Sequence, residues 1–350
     1  MKTDFLLIGQ GLAGTVLSWR LLAQGHRVHL VDTPGLQKSS RVAAGLYNPI
    51  TGRKMVKTWA ADLHFPAIEP FYRSMEERLG QRFLEPKPIY RPFLNVEEQN
   101  EWMGHSSRDE FRRYLLEIRT TSRYEAVNDP YGGVLLDQCG YLNIPNLLDA
   151  YAAWLEEEGL LTREVFDESK LTFHSKGVAY GDIEARSIVY TNGLGAMESR
   201  YFSWLPFRPV RGEILSVAQS FSPDEIINRG VFRITLSGGL HRVGSTYDNN
   251  DLDSGATEKG KSELLEKLRA LINPPLTAIH KHEWGIRPAT KDRKPFLGRH
   301  PSHNQLYIFN GLGAKGVSMA PYLSIEMSNL LTFNKEPSKE VNINRFFKYI

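Results

Sequence analysis

Short apolar runs separated by glycine turns, with no long hydrophobic stretch, set the pattern of this chain. Phe5 to Ile8 is an apolar run of the kind that forms a strand buried on both faces of a parallel sheet. A helical pattern follows from near Leu12, with Val16, Leu17 and Leu21 facing inward, and stops at Gly25. A second buried run, Val28 to Val31, ends on Asp32. Strand, helix and strand between Asp4 and Asp32 predict a parallel β-α-β unit. Trp59 to Leu79 has helical spacing, with Leu63, Ile68, Phe71, Tyr72 and Met75 available for packing. Ile89 to Val96 reads as a strand interrupted by Pro92, followed by charged helical segments to about Ile118 and a turn cluster at Asp129 to Gly133. Asn143 and Pro145 mark the start of a helix whose stripe is Leu147, Leu148, Tyr151 and Leu155 and whose end is Gly159. Leu171 to Tyr180 predicts a hairpin, and Ile183 to Thr191 ends in a buried strand.

From Phe207 to about Ile286 the pattern becomes that of an antiparallel sheet. Gly212 to Val217 is one strand, and Val231 to Leu236 pairs with Leu240 to Thr246 around Ser237-Gly238-Gly239. Ser262 to Ile272 is an amphipathic helix stopped by Pro274-Pro275. A strand from Leu306 to Phe309 and a helix running through Leu331 close the chain. Alternating β and α elements around a separate antiparallel stretch predict an α/β fold: a parallel, Rossmann-like sheet joined to an antiparallel one.

Between the first strand and helix, Gly9, Gln10, Gly11, Leu12, Ala13 and Gly14 spell G-x-G-x-x-G. Gly9 permits the tight turn, Gly11 lets the backbone approach a diphosphate, and Gly14 lets the helix lie close on the strand. The helix amino end favours an anion. Asp32, 18 residues past Gly14, stands where a carboxylate accepts the hydroxyls of an adenosine ribose. The unit therefore predicts a dinucleotide site. It leaves NAD and FAD both open and argues only against a 2′-phosphate.

Composition narrows the class without naming an activity. At 350 residues the chain is long enough for two domains, and 41% hydrophobic with 24% charged residues is ordinary for a globular enzyme. A net charge of +3 does not point to nucleic acid. The single cysteine, Cys139, excludes an intramolecular disulfide and fits a reducing, cytoplasmic setting. No run approaches the ~18 apolar residues of a transmembrane helix. There is no zinc-ligand spacing, so no metal site is expected.

Three further stretches carry candidate chemistry. Ser39-Ser40-Arg41-Val42-Ala43-Ala44-Gly45-Leu46-Tyr47 combines hydroxyls and a guanidinium with small residues, which suits a phosphate beside a flat ring and equally a capped alanine helix. Thr191-Asn192-Gly193 closes a buried strand at the carboxyl end, where open α/β sheets bind ligands. Gly311-Leu312-Gly313-Ala314-Lys315-Gly316-Val317 is a second glycine-rich strand-to-helix junction, aiming another helix amino end at something.

With these residues in place, the chain resembles the D-amino-acid oxidase superfamily, closest in motif to glycine oxidase and sarcosine oxidase. The resemblance rests on the Gly9 fingerprint, the Ser39 to Gly45 segment and Pro209-Val210-Arg211-Gly212-Glu213. It also rests on Gly285-Ile286-Arg287-Pro288-x-Thr290-x-Asp292-x-x-Pro295 and the Gly311 to Gly316 loop, all in collinear order. It implies FAD, bound non-covalently, because Cys139 is not where relatives attach flavin. It also implies a discontinuous FAD domain from residues 1–85, 138–206 and 286–350, with a substrate domain from 86–137 and 207–285. The implied activity is oxidation of a C–N bond in a small amine or amino acid by hydride transfer to flavin N5, with hydrolysis of the resulting imine. The implied electron acceptor is oxygen or a quinone.

Carried onto this sequence, the resemblance puts Gly9, Gly11, Leu12, Ala13 and Gly14 on the diphosphate and Asp32 on the ribose. Ser39, Ser40, Arg41, Ala44, Gly45 and Leu46 line the diphosphate and ring, and Val165 meets adenine through its backbone. Thr191, Asn192 and Gly193 lie beside the cofactor. Gly313, Lys315, Gly316 and Val317 serve the flavin's pyrimidine edge. Arg287 matches the arginine that fixes the substrate carboxylate, with Tyr47 and Phe232 at the substrate. Its alternative is a structural pairing with Asp292 or Glu283, and that of Lys315 a solvated loop lysine.

The chain departs from glycine oxidase on the hairpin, where Phe232, Thr235 and Leu236 replace a tyrosine and a Pro-Arg pair. A second polar anchor is missing there, and Tyr47, His241, Arg242 or Tyr247 are the candidates to replace it. Two other readings stay open. Asn48 to Lys54 and Gly244 to Tyr247 also resemble the oxidase half of the enzyme that trims a carboxymethylaminomethyl group from tRNA wobble uridine, with Arg41, Arg53, Lys54 and Lys57 as a basic rim. The last is a non-catalytic FAD-binding assembly or sensor protein.

Overall fold

The protein is described by a computed structural model covering residues 1–35, 39–52 and 55–349. Arg53 and Lys54 of the expected basic rim lie outside the described residues. The amino-terminal pattern forms strand β1 (Lys2–Ile8), helix α1 (Leu12–Ala23), strand β2 (Val28–Asp32) and, after the next loop, a short helix α2 (Ser39–Val42). β1 lies between two parallel neighbours, β2 on one side and Ile183–Tyr190 on the other. Phe5 and Leu7 pack into the core that includes α1, while Leu6 and Ile8 pack into a second core on the opposite face. An apolar run without alternation is what a strand covered on both faces requires.

Leu161–Arg163 extends the parallel sheet beyond β2, with Arg163 opposite Asp32. On the other side Leu306–Asn310 runs parallel to the end of Ile183–Tyr190, and Phe296–Arg299 closes the edge antiparallel. The first half of Ile183–Tyr190 instead carries the hairpin Leu171–His174 and Gly177–Tyr180. Helix Gly316–Phe333 packs beside α1. Asn143 caps helix Ile144–Glu157 by accepting from Asn146 N–H, as its position predicts.

A second eight-stranded sheet runs in the order Leu276–Arg287, Val210–Gln219, Leu240–Gly244, Val231–Thr235, Ile226–Arg229, Ile89–Pro92, Gly133–Leu136 and Leu115–Arg119. Its pairs are antiparallel except Ile226–Arg229 with Ile89–Pro92. Helix Glu258–Leu271 covers one face through Leu264, Leu268 and Leu271.

Two sequence expectations need correction. Leu115–Arg119 is an edge strand, not the end of a charged helix, because it pairs with Gly133–Leu136. The amphipathic helix begins at Glu258 rather than Ser262, because the Thr257 side chain caps it at Gly260 N–H. Gly285 to Arg287 close a twelve-residue strand of the second sheet, antiparallel to Val210–Gln219, at the end of the stretch read as antiparallel. The fold is α/β, with a Rossmann-like sheet assembled from separated stretches of chain and a mostly antiparallel second sheet. Among the described residues no helix is long and apolar enough to cross a membrane.

Candidate functional site

The Gly9 turn is closed too tightly for side chains. A Cβ on Gly14 would sit 1.9 Å from Gly9 O, and one on Gly9 would sit 2.8 Å from Asn192 Cα. Thr191 Oγ1 donates to Ile8 O and Gly9 O, both at 2.8 Å, which locks this turn against the end of the neighbouring strand. Asn192 Oδ1 is buried without a hydrogen-bond partner, and Gly193 follows at φ +57°. By contrast a Cβ on Gly11 would meet only Ser40 Oγ, at 3.6 Å. Gly11 and the amino end of α1 therefore face space, and Gly11 itself supplies no cap. Leu12 N–H donates to Ser40 Oγ at 3.3 Å, so α2 reaches across to the same end.

The second glycine junction meets the first. A Cβ on Gly316 would lie 3.0 Å from Leu12 Cδ2, and helix Gly316–Phe333 also starts without a side-chain cap. Gly313 adopts φ +56° beside Ala289, and Val317 O accepts from Tyr72. Two helix amino ends, neither capped by the side chain of its own N-cap residue, thus converge on one cradle. Free N–H groups and two positive dipole ends fit the diphosphate and the electron-rich ring edge of a flavin dinucleotide.

The flanking residues are placed as follows. Gly45, at φ +72°, presses against Leu142, where a Cβ would meet its carbonyl oxygen at 1.9 Å. Ala44 is buried, and Leu46 and Tyr47 form a two-residue strand beside Gly140–Leu142. Ser39–Val42 forms a single helical turn and Ala43 to Gly45 leave it as a loop, so the capped alanine helix does not form. Arg41 pairs with Asp149 at 2.6 Å, in an exposed position. Asp32 is engaged from two sides: Oδ1 accepts from Gln10 N–H and Oδ2 from Arg163, each at 2.8 Å. That pairing had no sequence signal, since Arg163 meets Asp32 only through strand register. Val165 lies just beyond that strand and is exposed.

Lys315 does not hang in solvent. Its Nζ donates to Thr51 and Thr58 hydroxyls, both at 3.2 Å, and burial lowers its pKa, with Arg293 and Lys294 adding to the effect. Among the described residues it has no carboxylate partner.

Arg287 ends the edge strand of the second sheet. Its Nη2 donates to Ser245 Oγ at 2.8 Å, and its guanidinium lies 4.5 Å from the centre of the Tyr247 ring. Gly212 leaves the room it needs, because a Cβ there would sit 2.1 Å from Nη2. Burial lowers the pKa of Arg287. The carboxylates that offered a structural pairing are used elsewhere: Asp292 binds Arg345 at 2.8 Å and Glu283 lies 3.7 Å from Arg242. Among the described residues this guanidinium has no carboxylate partner.

Of the candidates for a second polar anchor, His241 is consumed by Thr235 and Gln219 O, at 3.2 and 3.0 Å. Arg242 is consumed by Val42 and Ala43 carbonyls. Tyr47 is packed against Phe65, and burial raises its pKa. Tyr247 alone is exposed, lying over Arg287. Phe232 faces Gly244, where a Cβ would come within 2.7 Å of its ring tip, and Leu236 packs on the same core. Cys139 is buried with its thiol pKa raised by burial, the state of an inert packing residue.

The geometry agrees with the comparisons to known proteins. Residues 4–330 match the model of the DAO family, described as FAD dependent oxidoreductase, and the chain belongs to that family. It is an FAD-dependent oxidoreductase. Glycine oxidase from Pseudomonas putida is 24% identical over 358 residues, covering 95% of each chain. The crystal structure of iminodiacetate oxidase from Chelativorans sp. BNC1 superposes with a TM-score of 0.78 at 19% identity, covering 98% of each chain. The tRNA 5-methylaminomethyl-2-thiouridine biosynthesis bifunctional protein MnmC of Marinobacter nauticus is 23% identical over 91% of this chain, which spans 54% of that protein.

Proposed function

We propose that the protein oxidises the carbon beside nitrogen in a small amine that carries a carboxylate. The observation that carries this reading is Arg287, a half-buried guanidinium facing an aromatic ring, with no carboxylate partner among the described residues. A guanidinium so placed offers two parallel N–H donors to a substrate carboxylate and orients the carbon between carboxylate and nitrogen. Bound FAD supplies the hydride acceptor, and the product imine hydrolyses in water. The residues of the Gly9 cradle, Asn192, Ser39 and Ser40 hold the cofactor. Lys315, poised among neutral hydroxyls, offers uncompensated positive charge near the Gly311 loop.

The proposed division is an FAD domain from 1–85, 138–206 and 286–350 and a substrate domain from 86–137 and 207–285. Re-oxidation by oxygen or a quinone and a cytoplasmic setting complete the proposal. The likeness to glycine oxidase and to iminodiacetate oxidase, both named for carboxylate-bearing amines, supports it. The likeness to MnmC supports a second reading, in which the amine sits on a modified tRNA uridine.

Arg287→Lys tests the first reading. Lysine keeps the charge and loses the planar pair of donors. Truncating a buried charge pair costs ~2–5 kcal/mol, and each ~1.4 kcal/mol is a factor of ten. FAD should stay bound while flavin reduction by a carboxylate amine slows at least tenfold at low substrate. Unchanged reduction would remove the carboxylate from the account. Reduction only by modified tRNA, with binding that falls steeply with salt, would favour the second reading.

A further inference from the structure

Arg242 belongs to strand Leu240–Gly244 of the second sheet, yet its side chain leaves that sheet. Nη2 donates to Val42 O at 2.9 Å and Nη1 to Ala43 O at 3.2 Å, across about 200 residues of sequence. These are the carbonyls at the carboxyl end of α2, which its single turn leaves without helical partners. The same helix offers Ser40 Oγ to Leu12 N–H at its other end, at the mouth of the dinucleotide cradle. Gly285 lies against α2, where a Cβ would be in van der Waals contact with Ser39 Cα and Val42 Cβ at 3.4 Å. The other tether of α2, Arg41 to Asp149, is exposed and contributes little. Arg242 is nearly buried, and among the described residues Glu283 at 3.7 Å is its one counter-charge, so its two charge-assisted bonds dominate.

We propose that Arg242 is a positioning residue for FAD: as a latch from the substrate sheet it fixes α2, and through Ser40, Ala44 and Gly45 it sets the affinity and environment of the bound cofactor. The proposal rests on FAD occupying the Gly9 cradle and is independent of which amine is oxidised. Cofactor affinity then depends on the integrity of a sheet that contributes no dinucleotide fingerprint of its own.

The test compares the parent with Arg242→Met and Arg242→Lys. Apoprotein melting, the FAD dissociation constant from titration of apoprotein, and the visible flavin spectrum are measured for each. The expected result for Arg242→Met is an apoprotein that melts within a few degrees of the parent, an FAD dissociation constant raised at least tenfold and a shifted flavin band. Arg242→Lys, able to reach one carbonyl, should fall between. Parental affinity and spectrum in Arg242→Met would overturn the latch. If Arg242→Met does not fold, parental affinity and spectrum in Arg242→Lys would overturn it instead. A parent protein that binds no FAD would fail before any variant and would overturn the cofactor assignment together with the latch.

Discussion

The Arg287 guanidinium lies 4.5 Å from the centre of the Tyr247 ring, and 68% of Tyr247 remains open to solvent. In the proposed site this half-buried cation with its exposed aromatic cover receives the substrate's carboxylate from outside. The ring is the replaceable part. Tyr247→Ala should leave the melting temperature within about 1–2 °C of the parent, because exposed substitutions stay within ~0.5 kcal/mol. Loss of a cation–π contact worth ~0.5–1 kcal/mol should weaken binding of a carboxylate inhibitor about two- to fivefold. Titration of the flavin band with such an inhibitor measures it. Inhibitor binding equal to that of the parent would show that Tyr247 does not form part of the site.

Gly14 carries a sharper expectation. Its missing Cβ would lie 1.9 Å from Gly9 O, so Gly14→Ala must push α1 off β1. Overpacking of this kind costs ~1–3 kcal/mol, and the displaced helix end can no longer meet a diphosphate. The variant should purify colourless and melt several degrees lower. A yellow Gly14→Ala protein with the parental melting temperature would contradict the cradle.

His64 makes stability depend on pH. It is 1% exposed between Trp59 and Tyr322 rings, and burial, with help from Lys294, lowers its pKa to about 4. Unfolded, the ring titrates near 6.5. Between pH 6.5 and 4 the unfolded chain binds the extra proton, so stability falls with falling pH. At ~1.4 kcal/mol per unit, this group alone removes about 3 kcal/mol across that window. In denaturant titrations His64→Leu should lose less stability than the parent from pH 6.5 to 4. Identical losses would show that His64 titrates normally.

The amino-terminal unit was legible because everything it needs is local: apolar runs, turn glycines and the spacing to Asp32 all lie within thirty-two residues. The Asn143 cap was legible for the same reason. Strand Leu276–Arg287 was not. Five of its first six residues are exposed, Ala278 and Ile279 included, so their support is pairing with a partner some 60 residues upstream rather than burial. Leu115–Arg119 misled because an edge strand buries little and can tolerate the charge density of a helix. At the site, Arg287 was identifiable by motif. Its surroundings were not, since Gly212, Ser245 and Tyr247 come together only through sheet register. The Asp32–Arg163 and Arg242–Val42 contacts are of the same kind and leave no trace in local spacing.

In the function proposed above, this cradle holds FAD and the flavin takes hydride from a carboxylate-bearing amine. The most direct measurement of that function is the visible spectrum of the purified protein, mixed without oxygen with glycine, with N-substituted glycines and with larger amino acids. The expected result is a yellow protein whose flavin bands bleach with at least one of these and return when air or a quinone is admitted. A flavin that stays oxidised with every carboxylate amine, while Arg287→Lys leaves the protein otherwise unchanged, would contradict it.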